Sequence, residues 1–148
     1  LYREEEREMI PYCRHTKKAV MTFSPLARGM LSGANDLRSR TDGFISAFFG
    51  DAVDQAVIRR VQELAAARNV PTSAIAAAWV AQSPNVDVWI TGAQNASQLE
   101  QALAAHTFQL SDNERAYIEE LYRPRDMIND HNPISRPRAA FADTETAR

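Results

Sequence analysis

Residues 19–33 read Ala-Val-Met-Thr-Phe-Ser-Pro-Leu-Ala-Arg-Gly-Met-Leu-Ser-Gly, and this stretch decides the fold. Its first five residues are a short run of strand-forming side chains that stops at Ser24-Pro25, which predicts a buried strand over 19–23. Four of the five glycines fall in residues 24–50, where no firm periodicity is evident. A loop of this length in a compact domain is usually functional or partly mobile.

Helical patterns lie on both sides of this segment. Residues 3–16 carry apolar side chains on one side and a glutamate-rich first turn, which favours a helix that Pro11 would kink or shift. From residue 51 onward, apolar residues recur at three- and four-residue spacing until Asn69-Val70-Pro71 interrupts them. Thr72 is expected to cap the next helix, and residues 86–90 (Val-Asp-Val-Trp-Ile) predict a second strand.

Two further helices are predicted from the residues that cap them. In each case a side chain that accepts hydrogen bonds stands three residues before Glu or Gln, which is the spacing of a capping box. The helices, with the pairs that open them, are 96–105 with Asn95 and Gln98, and 112–122 with Ser111 and Glu114.

The order of these elements predicts an α/β fold. Strands separated by helices pair in parallel through right-handed crossovers. Two strands are too few for a stable sheet, so residues 1–122 are expected to form part of a larger α/β fold, with a poorly structured tail over 123–148. Because open strand edges seek partners, we expect this chain alone to self-associate or to remain partly molten.

Composition excludes several classes of function. A length of 148 residues fits one domain, and a net charge of −2 gives no electrostatic case for binding nucleic acid or a membrane surface. The single cysteine, Cys13, excludes an internal disulfide and fits a reducing compartment, so a cytoplasmic location is expected. The three histidines show no metal-ligand spacing, and no metal site is predicted.

Three segments resemble the aldo-keto reductase family in collinear order. Residues 23–33, Phe-Ser-Pro-Leu-Ala-Arg-Gly-Met-Leu-Ser-Gly, resemble the family's W/Y-S-P-L-x-x-G stretch at strand seven. Residues 3–14, Arg-Glu-Glu-Glu-Arg-Glu-Met-Ile-Pro-Tyr-Cys-Arg, resemble the helix before that strand. Residues 90–103, Ile-Thr-Gly-Ala-Gln-Asn-Ala-Ser-Gln-Leu-Glu-Gln-Ala-Leu, resemble the strand-eight signature I-x-G-A-x-x-x-x-Q-L-x-x-N.

This resemblance implies a partial (β/α)₈ barrel. The chain would be its C-terminal part, from about the helix before strand seven to the C-terminus, and its two strands would be the seventh and eighth. Family members reduce aldehydes and ketones to alcohols with NADP(H), so the implied partner is a small carbonyl compound in the complete barrel. The loops after strands seven and eight commonly bind phosphate in such barrels.

The resemblance also implies which residues hold the cofactor. Phe23 takes the place of a Trp or Tyr that stacks on the nicotinamide, and Arg28 and Arg38 match basic positions near the phosphates, with Arg40 as a less certain candidate. The helix that begins at 96 would receive the adenosine 2′-phosphate. The residues placed at the cofactor are Phe23, Ser24, Pro25, Leu26, Ala27, Arg28, Gly29, Arg38, Gly92, Gln94, Asn95 and Gln98.

Plainer alternatives stand beside these assignments. Phe23 could be a buried strand aromatic, the two arginines could be solvated loop residues, and Gln98 could simply cap its helix. The sequence also departs from the family at Gln101, where Glu is frequent, and at Ala102, where Asn is usual. Both family residues normally hydrogen-bond on the adenine side, so adenine binding should weaken.

No position matches the family's catalytic tetrad of Asp, Tyr, Lys and His. Carbonyl reduction needs a proton donor beside the nicotinamide, so no catalytic residue is assigned, and the chain is expected to be inactive by itself. An alternative follows from this: the chain is a truncated, non-catalytic module that binds a nucleotide or another protein.

Overall fold

The structure, a computed structural model, describes residues 1–33, 45 and 49–126. Short 3₁₀ turns cover Glu4–Glu6 and Ala27–Gly29. The helices are α1 (Met9–His15), α2 (Ala52–Arg68), α3 (Thr72–Ala81), α4 (Ala96–Ala104) and α5 (Asp112–Glu119), and the strands are β1 (Met21–Phe23) and β2 (Val88–Ile90).

The two strands form one parallel sheet, which confirms the predicted α/β class. Met21 pairs with Val88, and Phe23 pairs with Ile90. Before the sheet begins, the Val20 amide donates to an Asp87 carboxylate oxygen at 2.8 Å, and this bond helps to fix the register. Each strand is two residues shorter at its start than the sequence predicts.

The prediction that β1 is a buried strand is wrong. Met21 and Phe23 are 64% and 78% exposed, and their partners Val88 and Ile90 are also exposed. Alternate side chains of a strand point to opposite faces, so these four residues share one face, which we call the open face. Among the described residues, helices cover only the other face, where Thr22 and Trp89 are half-buried.

The core lies in the helical layer, where α3 packs against α2, and α5 packs against α2. Ile75 and Ala78 of α3 are fully buried. Helix α2 begins with the Asp51 side chain accepting from the Asp54 amide, and it ends at Asn69 with φ +51°. Among the described residues, no helix is long and apolar enough to cross a membrane.

Several helix boundaries differ from those predicted. The helix expected over 3–16 is a 3₁₀ turn followed by α1, which places Pro11 in the first turn, where its missing N–H is not needed. Pro71, not Thr72, is the N-cap of α3, and its position has no side-chain cap bond. Helix α4 ends one residue early, at Ala104, and α5 ends at Glu119 instead of residue 122.

A buried polar cluster joins three distant parts of the chain. We use this name for Glu4, Asp54, Tyr122 and Arg125. The Arg125 guanidinium contacts both Asp54 oxygens at 2.7 and 3.1 Å, and its backbone amide donates to Glu4 at 2.9 Å. The first residues of the expected tail therefore contact the helical layer, and residues 127–148 lie outside the described part of the chain.

Candidate functional site

The two predicted groups of site residues leave the sheet at the same edge. Because β1 and β2 are parallel and Phe23 pairs with Ile90, the segments that follow both strands begin side by side. One group runs from Phe23 to Gly29, and the other runs from Gly92 into the first turn of α4. Carboxyl ends of adjacent parallel strands are where α/β proteins commonly place ligands.

Phe23 ends β1 on the open face. Its side chain is 78% exposed, the largest exposed fraction among the large apolar residues of the described chain. In the described chain Phe23 is therefore not a buried strand aromatic, contrary to that alternative. Ile90 lies opposite and is 50% exposed, so the two side chains together offer a flat apolar surface at the edge of the sheet.

The turn after β1 contains a cluster of left-handed backbone. Ser24, Ala27 and Arg28 have φ values of +56°, +46° and +56°, and Gly29 follows at +105°. Such conformations cost on the order of 1–3 kcal/mol at a non-glycine residue and concentrate where function requires them. Turns of alternating handedness also direct successive amide groups into concave surfaces that hold anions.

This turn is anchored from below by apolar side chains. Ala27 and Leu31 are buried in the main core, and Leu26 packs against it. The Ala27 and Leu31 amides donate to the Ser24 and Leu26 carbonyls at 2.9 and 3.1 Å. The Ala27 side chain is therefore not available to a ligand, whereas Ser24 and Arg28 are exposed at the surface.

The second group surrounds the start of α4. Asn95 caps the helix by accepting from the Gln98 amide at 2.9 Å, and the Gln98 side chain accepts from the Gln94 amide at 2.8 Å. One bond of the predicted capping box is therefore present. In the other, the Gln98 side chain accepts from the Gln94 amide and not from the Asn95 amide. A Cβ at Gly92 would meet nothing within 4 Å among the described residues, so no contact with them requires glycine there.

Two predicted arginines cannot be placed with the others. Arg38 and the second candidate Arg40 lie outside the described residues. Within the described ranges, no group of three or more His, Cys, Asp or Glu side chains could hold a metal ion.

Long-range contacts were not visible in the sequence. Asp54 and Arg125 are 71 positions apart, and Ser73 bonds to Gln101 across 28 positions, so no local motif marks either pair. The left-handed backbone at Ser24 was also missed, because no glycine signals it.

Known proteins match most of the chain. The sequence profile of the Aldo/keto reductase family matches residues 1–123. A Schizosaccharomyces pombe protein named "putative aryl-alcohol dehydrogenase" is 41% identical over 129 residues, which cover 84% of this chain and 39% of that protein. An aldo-keto reductase of Fusarium vanettenii is 38% identical over 133 residues, with coverages of 84% and 35%. The versiconal hemiacetal acetate reductase of Aspergillus parasiticus is 35% identical over 130 residues, with coverages of 83% and 38%.

The fold agrees with these sequence matches. A crystal structure of a thermostable aldo-keto reductase in complex with the inhibitor epalrestat superposes with a TM-score of 0.58 at 24% identity, and covers 80% of this chain and 35% of that protein. At this identity the likeness shows the fold alone.

The chain is thus an α/β protein that folds like part of a reductase barrel. It belongs to the aldo/keto reductase family. We expected the chain to be the C-terminal part of the barrel, from about the helix before strand seven to the C-terminus. The family match spans residues 1–123 and does not support this position. The chain spans 39%, 35% and 38% of the lengths of the three relatives named above.

Proposed function

We propose that this chain forms part of an NADP(H)-dependent oxidoreductase that reduces aldehydes or ketones to alcohols. In this proposal β1 and β2 are neighbouring strands of a barrel, and their carboxyl ends contribute to the cofactor site. Family membership and the names of the relatives, a dehydrogenase and reductases, support the reaction class. The complete protein's activity rests on this proposal.

The observation that carries the proposal is the exposed Phe23 beside left-handed backbone at the end of β1. The Phe23 ring gives a flat face on which a nicotinamide can stack. Ser24 and Arg28 follow on the exposed side of the turn, where a hydroxyl and a guanidinium can donate to a pyrophosphate. An apolar surface next to concentrated donors fits a cofactor that has a flat ring and phosphates.

The second group fits the adenosine end of the cofactor. The first amides of α4 have no acceptor within the helix, and the helix dipole favours negative charge at this end. The Gln94 amide donates to the side-chain oxygen Oε1 of Gln98. The side-chain NH₂ group of Gln98, which is exposed, can therefore still donate to a ligand. The space at Gly92 also allows a ligand to approach the backbone. The cofactor supplies the hydride, and these residues bind and orient the cofactor.

An NADPH titration of the chain, followed by tryptophan fluorescence with NADH alongside, tests this proposal. We expect saturable binding that prefers NADPH, because only NADPH carries the 2′-phosphate. Phe23→Ala should weaken binding about ten-fold, since it removes the stacking surface. Tyr12→Ala is the matched control, because Tyr12 is a well-exposed aromatic residue on α1, and binding should be unchanged. Absence of binding, or equal effects of the two substitutions, would contradict the proposal.

A second candidate function is nucleotide binding without catalysis. None of the four tyrosines lies on either strand or in the segment that follows it. The Tyr117 hydroxyl bonds to Glu63, which raises its pKa, and burial together with the Glu4 bond raises the pKa of Tyr122 to about 12. Both phenols therefore hold their protons more tightly than a general acid near neutral pH should. Aldehyde-dependent NADPH oxidation by this chain alone, lost in Phe23→Ala, would contradict this second function.

A further inference from the structure

The start of α3 lies between the two groups of candidate site residues. On one side it meets the end of the turn after β1. A Cβ added to Gly33 would lie 2.8 Å from the Thr72 Oγ1 atom, a separation that real contacts do not show. Gly33 also has φ +77°, which favours glycine. The chain at Gly33 therefore rests directly against Thr72.

On its other side the start of α3 holds α4. The Ser73 hydroxyl donates to the Gln101 side-chain oxygen at 3.0 Å. In the part of the chain that the structure describes, this is the only side-chain hydrogen bond from α4 to another element. Helix α4 has no buried residue, and Leu99 and Leu103 are 50% and 60% exposed. Ala105, which follows the helix, is fully buried and holds its end, so the Ser73–Gln101 bond is the directional support nearer its start.

We propose that Ser73 and Gln101 are positioning residues for the cofactor's 2′-phosphate. Gln101 lies three residues beyond Gln98 and therefore nearly one turn further along the same face of α4. The bond that holds Gln101 against α3 therefore also limits the movement of the first turn of α4. Under the proposed function, the 2′-phosphate binds at this end of the helix. The inference rests on that proposed function. In this inference Ser73 and Gln101 act by holding α4 in place, and neither side chain needs to contact the ligand.

The family resemblance suggests a competing role for Gln101. A Glu at this position normally bonds on the adenine side of the cofactor. Here the Gln101 side-chain oxygen already accepts from Ser73, and its NH₂ group lies 3.5 Å from the Ser97 hydroxyl. The observed bonds therefore direct this side chain toward neighbouring protein groups. Direct adenine contact and positioning through Ser73 make different predictions for Ser73→Ala.

The experiment compares Ser73→Ala, Gln101→Ala, the double variant and Gln101→Glu in the full chain. For each variant, the affinities for NADPH and NADH are measured by fluorescence titration, and amide hydrogen exchange is followed in α4. Each alanine substitution should weaken NADPH binding about five-fold, the size expected for one lost hydrogen bond, with little change for NADH. Exchange of the α4 amides that bond within the helix, from the Leu99 amide onward, should accelerate by a similar factor.

Two comparisons make this test specific. The double variant should be no weaker than either single variant, because both remove the same bond. Gln101→Glu should keep amide exchange in α4 as slow as in the unaltered chain, because a carboxylate also accepts from the Ser73 hydroxyl. Thr107→Ala is the control, since its hydroxyl donates to the carbonyl of Ala104 at 2.9 Å, at the opposite end of α4 from the proposed phosphate position. It should change neither affinity nor exchange.

Each contrary result has a separate meaning. Unchanged exchange in both single variants overturns the proposal whether or not NADPH binds. Faster exchange with unchanged NADPH affinity overturns the positioning role, as does an equal loss of NADH affinity. If Gln101→Ala weakens binding and Ser73→Ala does not, Gln101 contacts the ligand directly. If the unaltered chain binds no NADPH, the proposed function fails in this chain, and the exchange rates alone decide whether Ser73 holds α4.

Discussion

The helical layer and the open face use similar side chains in opposite ways. In α3, Ile75 is fully buried among α2 and its neighbours, whereas on β2, Ile90 is 50% exposed. The same contrast in exposure holds for polar groups. Asp54 is 1% exposed and bonds to Arg125 and Gly50, whereas Ser24 and Arg28 are exposed to solvent.

This difference separates the source of stability from the place of binding. Burial of apolar surface, which stabilises by roughly 25 cal/mol per Å², is concentrated in the helical layer. The open face contributes little to that burial and keeps its apolar area available, and contiguous exposed apolar surface marks interaction sites. In the proposed barrel, the open face would be the side presented to the remaining strands and to the cofactor.

The largest effect is expected from shortening an isoleucine in the helical layer. Ile75→Ala should lower the free energy of unfolding by about 3 kcal/mol, because it removes buried methyl groups and leaves a cavity. Ile90→Ala is the matched control on the open face and should cost less than about 1 kcal/mol. Urea denaturation monitored by circular dichroism measures both. Equal losses would show that the open face is covered in solution, for instance by self-association.

Next in size is the loss of the buried carboxylate at Asp54. Asp54→Ala leaves the Arg125 guanidinium without its closest partner and should destabilise the chain by about 3 kcal/mol. Asp51→Ala is the comparison, because Asp51 also faces Arg125, at 3.9 Å, but its side chain is 57% exposed. It should cost about 1 kcal/mol, mostly from the lost N-cap. If the two variants lose the same free energy in urea titrations, burial of the pair is not what matters.

Features that neighbouring residues determine, such as helix caps, could be predicted from the sequence. Features that depend on contacts between distant segments could not. The Ser111–Glu114 capping box is confirmed in both of its bonds, because four consecutive residues define it. The end of α2 at Asn69 was also predictable from neighbouring residues. The exposure of Phe23 was not, because it depends on what covers the strand, and this is decided by segments far away in the chain.

The candidate site shows the same division. Its members at both strand ends were found through short motifs, and the parallel pairing brings the two groups to one edge. The link between those groups through Ser73 and Gln101 was not found, since serine and glutamine are common on helix surfaces and their meeting depends on how α3 and α4 pack. Short motifs therefore suffice to propose site residues, whereas a contact between two helices can be found only from the structure.

The pH dependence of stability should report on Glu4 in the buried polar cluster. Burial alone would raise the pKa of Glu4, but bonds from the Tyr122 hydroxyl, the Arg125 amide and Arg7 outweigh it and lower this pKa. A lowered folded-state pKa gives stabilisation that is present above the unfolded-state pKa and is lost as pH falls through the folded one. The urea midpoint should therefore fall on acidification below about pH 4. Glu4→Gln should flatten this part of the profile, and an unchanged slope would count against the assignment.

The smallest expected effect has the opposite sign and lies at the end of α1. Lys17 follows this helix with φ +55°, and the amides of Lys17 and Lys18 donate to the Arg14 and Cys13 carbonyls at 3.2 and 2.8 Å. This is the Schellman arrangement, in which glycine is preferred because it has no Cβ. Lys17→Gly should therefore raise the free energy of unfolding by up to about 1 kcal/mol.

Helix α2 provides the natural comparison for this end. Asn69 has φ +51° there, and asparagine tolerates this conformation better than lysine does. Lys17→Asn should therefore gain part of the stability that glycine gains, whereas Lys17→Ala keeps a Cβ without a compensating side-chain bond and should gain nothing. Thermal unfolding of the three variants ranks them directly. An alanine variant as stable as the glycine variant would show that removal of the lysine side chain, not backbone conformation, sets the stability of this turn. Ser24 and Arg28 have similar φ values, of +56° each, but under the proposed function their side chains are needed at the cofactor, so glycine there should cost binding even where it relieves the backbone.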